Sequence, residues 1–125
     1  MSKPRVCLIE DYPDNRVLIS AVLRAAGMDV TVLEDAESLR PILEEGYAPD
    51  VFLLDLSLPG EDGTSLMTRL KATPATAAIP VVALTAHAMM GDAERGLARG
   101  FDGYITKPID VRAFPEQVRR YFDST

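Results

Sequence analysis

Five short apolar runs recur along this chain: Val6-Cys7-Leu8-Ile9, Val30-Thr31-Val32-Leu33, Val51-Phe52-Leu53-Leu54, Val81-Val82-Ala83-Leu84 and Tyr104-Ile105-Thr106. They are rich in β-branched residues and none alternates strictly between apolar and polar. Strands buried on both faces read this way, as in a parallel sheet covered by helices. Between the runs lie longer stretches with apolar residues at helical spacing. The first, 14–26, carries Val17, Leu18, Ala21, Val22 and Ala25, with Gly27 where a C-terminal cap belongs. The second follows Asp35 as an N-cap and carries Leu39, Ile42 and Leu43. The third, 64–72, carries Leu66, Met67 and Leu70, and the fourth, 89–99, stops at Gly100. The fifth begins near Asp110 with Phe114, Val118 and Phe122 on one face. Pro115 then falls beyond its first turn, so a bend or an irregular first turn is expected there.

The order βαβαβαβαβα implies a parallel sheet with right-handed crossovers and helices on both faces, a three-layer αβα domain with five strands and five helices. At 125 residues the chain has room for one domain, 1–125. Thirteen Lys and Arg against nineteen Asp and Glu give a net charge of −6. That balance argues against nucleic-acid binding through phosphate contacts, which needs clustered basic residues. Cys7 is the single cysteine, so there is neither an internal disulfide framework nor a Cys-rich zinc site. It lies inside a buried strand and is expected to be an inert thiol. No apolar run approaches the ~20 residues of a spanning helix, or the ~7–15 of a signal-peptide core near the start. A soluble cytoplasmic protein with no membrane insertion is the expectation.

Open parallel sheets bind ligands outside the carboxyl ends of their strands. Here the first strand runs into Glu10-Asp11, the third ends in Asp55, the fourth in Thr85 and the fifth in Lys107-Pro108. Taken singly, an acid after a strand is ordinarily a turn residue, a threonine a helix cap and a lysine a surface charge. Jointly they bring an acidic pair, a lone acid, a hydroxyl and an ammonium to one rim. Two carboxylates ~4 Å apart at an effective dielectric of ~20 repel by about 4 kcal/mol. A cation offsets that, and an oxygen-only donor set with open positions suits Mg²⁺. With Lys107 beside it, such a site accommodates a tetrahedral anion, one of whose oxygens Thr85 can contact. Asp55 is then either another ligand or a nucleophile that forms an aspartyl phosphate.

These residues resemble the receiver (phosphoacceptor) domain of two-component response regulators. The resemblance covers essentially the whole chain. It is carried by Leu8-Ile9-Glu10-Asp11, the stretch from Leu53-Leu54-Asp55 through Leu58-Pro59-Gly60 to Asp62-Gly63, Ala83-Leu84-Thr85-Ala86, and Tyr104-Ile105-Thr106-Lys107-Pro108. It implies a flavodoxin-like sheet of order 2-1-3-4-5. Matched position by position, it implies that Asp55 is phosphorylated. Glu10 and Asp11 would hold Mg²⁺, directly or through water, with Asp55 and the Ser57 carbonyl completing the protein ligands. Thr85 and Lys107 would contact the phosphoryl group, and Tyr104 would be the aromatic that changes rotamer when Thr85 moves. A cis Lys107–Pro108 peptide is implied as well. The donor would be a phosphohistidine on a sensor histidine kinase or a phosphotransfer protein. The protein would then be a signalling phosphoacceptor and not an enzyme.

The acidic pair is Glu-Asp where many members have Asp-Asp, which leaves Asp11 as the direct ligand. Ser57 and His87 sit where the family tunes dephosphorylation, and His87 is also a possible metal ligand. Because the chain stops at Thr125, a stand-alone receiver acting on a downstream protein partner is expected. Residues 86–92 resemble single-domain cell-cycle and developmental regulators and hybrid-kinase receivers. The switching face would be the fourth helix, fifth strand and fifth helix, with Met89 and Met90 as adaptable contacts.

Three other readings compete. A haloacid-dehalogenase-type phosphatase needs a second Asp two residues after the nucleophile, where this chain has Ser57. A flavin carrier of the same fold needs a phosphate-cradling loop where this chain has Glu10-Asp11-Tyr12-Pro13-Asp14. A degenerate receiver would lack part of a residue set that is complete here.

Overall fold

The computed structural model describes residues 3–56, 63–85 and 100–122. Its elements follow in the order β1 (Arg5–Ile9), α1 (Pro13–Ala25), β2 (Asp29–Leu33), α2 (Leu39–Glu44), β3 (Val51–Asp55), α3 (Gly63–Ala72), β4 (Val81–Thr85), β5 (Gly103–Thr106) and a C-terminal helix (Phe114–Arg119). The strands form one parallel sheet in the order β2-β1-β3-β4-β5. This is the flavodoxin-like order that the resemblance implied. The helix expected over 89–99 lies outside the described residues. Gly100, expected to end it, has a φ of +113°.

The apolar runs lack alternation because both faces of the sheet are covered. Val6 and Leu8 of β1, with Val51 and Leu53 of β3, pack under α1 and the C-terminal helix alongside Leu23, Phe114 and Val118. Their neighbours Cys7, Ile9, Phe52 and Leu54 pack on the opposite side with Leu39 of α2 and Leu66, Met67 and Leu70 of α3. In the central strands β1 and β3, successive residues therefore feed the two cores in turn, and the carboxylates stand at the strand ends.

Three local expectations need correction. In α1 the buried residues are Ile19, Ser20 and Leu23. Val17 is 68% exposed and Leu18 44% exposed, so the stripe read from 17, 18, 21, 22 and 25 is not the core face. Both stripes have helical spacing, and the packing of α1 against β2 and the C-terminal helix selects the other one. The last helix starts at Phe114, not near Asp110, after a turn in which Asp110 accepts the N–H of Arg112. Pro115 therefore falls in the first turn, where a missing N–H costs nothing. The expected irregularity is that turn at 111–113. Asp35 does accept the N–H and hydroxyl of Ser38, at 2.8 and 2.7 Å, but this closes a turn ahead of α2. Gly27 ends α1 with a φ of +91°, as expected of a C-terminal cap.

Candidate functional site

Parallel connectivity sends the carboxyl ends of β1, β3, β4 and β5 to one edge. The register then decides which residues are neighbours there. Ile9 pairs with Leu54, so Glu10 and Asp55 stand one step further along, side by side. Strand alternation turns both side chains toward the face that carries α1. Asp55 pairs with Leu84, which puts Thr85 one step beyond, and Thr85 pairs with Thr106, which puts Lys107 next. The Lys107 N–H donates to the Thr85 carbonyl at 2.7 Å. The Lys107–Pro108 peptide is cis, as the resemblance implied.

At this edge the Lys107 ammonium donates to Asp55 Oδ2 at 2.9 Å and to both Glu10 carboxylate oxygens at 3.1 Å. Glu10 and Asp55 are buried, at 0% and 3% exposure. Two buried carboxylates thus share one ammonium. Burial, and after it the neighbouring Asp55 carboxylate, pushes the Glu10 carboxyl up to about 7. Burial alone would pull Lys107 down, but the Asp55 and Glu10 carboxylates outweigh it and hold the ammonium above its ordinary range. Cys7 is buried in β1 on the opposite face of the sheet, and burial pushes its thiol up to about 12, in keeping with an inert side chain.

Glu10, Asp11 and Asp55 each offer an oxygen within 4.8 Å of the others. An all-oxygen set of this size and charge fits Mg²⁺, whose octahedral ligands sit ~2.1 Å from the ion and lie ~3–4 Å from one another. Two residues absent from the sequence reading also belong here. Asn15 Nδ2 donates to Glu10 Oε1 at 2.7 Å. The Arg16 guanidinium donates to the carbonyls of Glu10 and Asp11 at 3.1 and 2.9 Å. Their position in the first turns of α1, a few residues past the acids, was the available signal. Tyr104 stands on β5, 39% exposed. Ser57, His87, Met89 and Met90 lie outside the described residues.

Residues 6–119 match the family model of the response regulator receiver domain. The chain belongs to that family. Receiver domains are signalling modules that interact with histidine kinases or phosphotransfer proteins. This one is 33% identical over 122 residues to the sensor protein GacS of Pseudomonas syringae pv. syringae, covering 94% of this chain and 13% of that protein. It is 38% identical over 116 residues to the DNA-binding transcriptional regulator RpaA of Synechocystis, covering 93% of this chain and 48% of that one. The receiver thus spans half or less of either relative. Among solved structures, it resembles the receiver domain of a Pseudomonas aeruginosa sensor histidine kinase with a magnesium ion coordinated in its active-site cleft. There the identity is 32%, the TM-score 0.86, and the coverage 98% of this chain and 100% of that one. Among the described residues no helix is long and apolar enough to cross a membrane.

Proposed function

We propose that Asp55 accepts a phosphoryl group from a phosphohistidine on a sensor histidine kinase or a phosphotransfer protein. The observation that carries this reading is the Lys107 ammonium 2.9 Å from Asp55 inside a three-carboxylate cluster. Asp11, Asp55 and, directly or through water, Glu10 would hold Mg²⁺, with the Ser57 carbonyl as a further ligand. Bound there, the cation would neutralise the acids and would supply positive charge to the transferring phosphoryl group. An Asp55 carboxylate oxygen attacks phosphorus, the P–N bond breaks, and its electron pair returns to the imidazole nitrogen of the donor. Lys107 supplies a fixed positive charge to the phosphoryl oxygens. Thr85 donates its hydroxyl to one of them.

The donor must bring its histidine to Asp55 and therefore covers the adjoining rim. Tyr12, Val17 and Leu18 are apolar and exposed there. Leu18 also lines a cavity of about 250 Å³ with Asn15, Lys107 and Pro108, a fit for an apolar helix face on the donor. Phosphorylation adds roughly half to one unit of negative charge at Asp55. Thr85 and Lys107 move toward it, and Tyr104 takes the space released. Taking a two-state switch from 1:99 to 99:1 needs ~5.5 kcal/mol of differential contact, within reach of two or three charge-assisted hydrogen bonds. The responsive face is β5, the C-terminal helix and the helix expected over 89–99, and it meets a downstream protein, not a nucleic acid. The role is that of a cytoplasmic phosphoacceptor, without turnover of an external substrate.

Mass spectrometry after incubation with acetyl phosphate and Mg²⁺ tests the reading. Wild type gains one phosphoryl group, and Asp55→Asn gains none. No gain in wild type, or a gain that persists in the variant, refutes it. Unchanged NMR shifts on the β5 face after beryllofluoride treatment would remove the switch while leaving the phosphoacceptor.

A further inference from the structure

Two consecutive residues of α1 reach back to the acidic loop, and neither touches Asp55 in any hydrogen bond described above. Asn15 bonds the Glu10 carboxylate and Arg16 bonds the carbonyls of Glu10 and Asp11. We propose that Asn15 and Arg16 are positioning residues that clamp the Glu10-Asp11 loop and so set the divalent-cation affinity of the site. This inference rests on the reading of the cluster as a Mg²⁺-dependent phosphoacceptor.

Glu10 explains why the loop needs a clamp. Its side chain is longer than an aspartate's, and without Asn15 its carboxyl is left to Lys107 and Asp55, which are themselves paired. With Oε1 held by Asn15 and both oxygens accepting from Lys107, the carboxylate has one orientation and presents its remaining lone pairs to a cation or a cation-bound water. Arg16 acts on the backbone. One guanidinium nitrogen bridging two successive carbonyls fixes the peptide between them, and with it the direction in which the Asp11 side chain leaves the loop. Groups that hydrogen-bond metal-ligating carboxylates orient them, and losing one typically costs 10–100-fold in metal affinity.

The sign of the effect at Arg16 separates positioning from bulk electrostatics. A positive charge beside a cation site repels the cation, so removing it should tighten binding if charge were all that mattered. Positioning gives the opposite result.

Calorimetric Mg²⁺ titration of the full chain, with thermal melts in chelator and acetyl phosphate rates over a Mg²⁺ series, decides between them. Arg16→Met and Asn15→Leu are expected to weaken Mg²⁺ about tenfold, and Arg16→Lys to recover most of the loss. Phosphorylation by each should approach the wild-type rate at saturating Mg²⁺. Arg16→Met that binds Mg²⁺ as tightly as wild type or more tightly, together with an unaltered Asn15→Leu, overturns the clamp. So does a lowered metal-free melting temperature with an unshifted Mg²⁺ midpoint, the mark of a purely structural role. If Arg16→Met does not fold, Asn15→Leu and Arg16→Lys carry the same comparison. Should wild type bind Mg²⁺ but take no phosphoryl group, the phosphoacceptor reading falls while the midpoint shifts still judge the clamp. Wild type that binds no Mg²⁺ brings down both.

Discussion

Lys107 is the counter-charge on which the metal-free site depends. Lys107→Met leaves Glu10 and Asp55 facing each other, and breaking a buried pair in this way costs ~3–5 kcal/mol. Glu10 responds by taking up a proton, so the loss should be largest at alkaline pH, read by chemical denaturation in chelator. The same carboxyl produces a pH dependence in wild type. Its folded value is about 7 against an ordinary value of 4.5, raised by burial and then by Asp55. The native state therefore holds more protons than the unfolded chain between these values. Stability from this group is fully present below about 4.5 and is lost as pH rises through about 7. Metal-free wild type should weaken across that window relative to Glu10→Gln, which cannot titrate. Parallel curves for the two proteins would refute the assignment.

At the level of elements, two packing arrangements make sharp predictions. In α1 the core face runs through Ile19 and Leu23, so Leu23→Ala should cost ~2–5 kcal/mol. Val17→Ala, on the exposed side, should stay within ~0.5 kcal/mol in denaturant titration. Equal losses at the two positions would contradict the packing. On β5, a Cβ built at Gly103 would collide with the Tyr121 ring, which lies against the strand. Gly103→Ala should therefore destabilise by ~1–3 kcal/mol. The cost should shrink in a Tyr121→Ala background, the coupling that a double-mutant cycle measures. The helix boundaries carry the same lesson. Pro115 is harmless because the C-terminal helix starts at Phe114, a point set by the turn at Asp110.

The whole molecule joins the two cores and the site through one sheet. A ligand that binds only the folded edge stabilises the entire domain, by ~2.7 kcal/mol at one hundred times its Kd. Saturating Mg²⁺ should thus raise the melting temperature of wild type by several degrees. Asp11→Asn should abolish the rise without unfolding the protein, because Asp11 lies at the rim and contributes to neither core. An undiminished Mg²⁺ shift in that variant would remove Asp11 from the site. The fold ties its far edge together as well. Asp102 accepts the N–H of Val81 at 2.7 Å and pairs with Lys71 at 2.7 Å, joining α3, the start of β4 and the entry to β5.

Much of this was legible in the chain. Apolar runs without alternation mean strands covered on both faces, and strands separated by helical segments mean parallel connectivity. Parallel connectivity delivers every carboxyl end to one edge, which is why the pattern of the chain alone gathers Glu10, Asp11, Asp55, Thr85 and Lys107. Only the tertiary structure decided which atoms meet. Lys107 and Glu10 are 97 positions apart and are joined by register alone, since the offset of each strand against the next leaves no trace in a one-dimensional pattern. The buried face of α1 was equally undetermined, because two overlapping stripes satisfy a 3.6-residue period and the neighbouring elements choose between them. Asn15 and Arg16 are not legible in the sequence for a related reason: a polar residue in a first helical turn has the same sequence appearance whether it faces solvent or turns back to hold the loop before it.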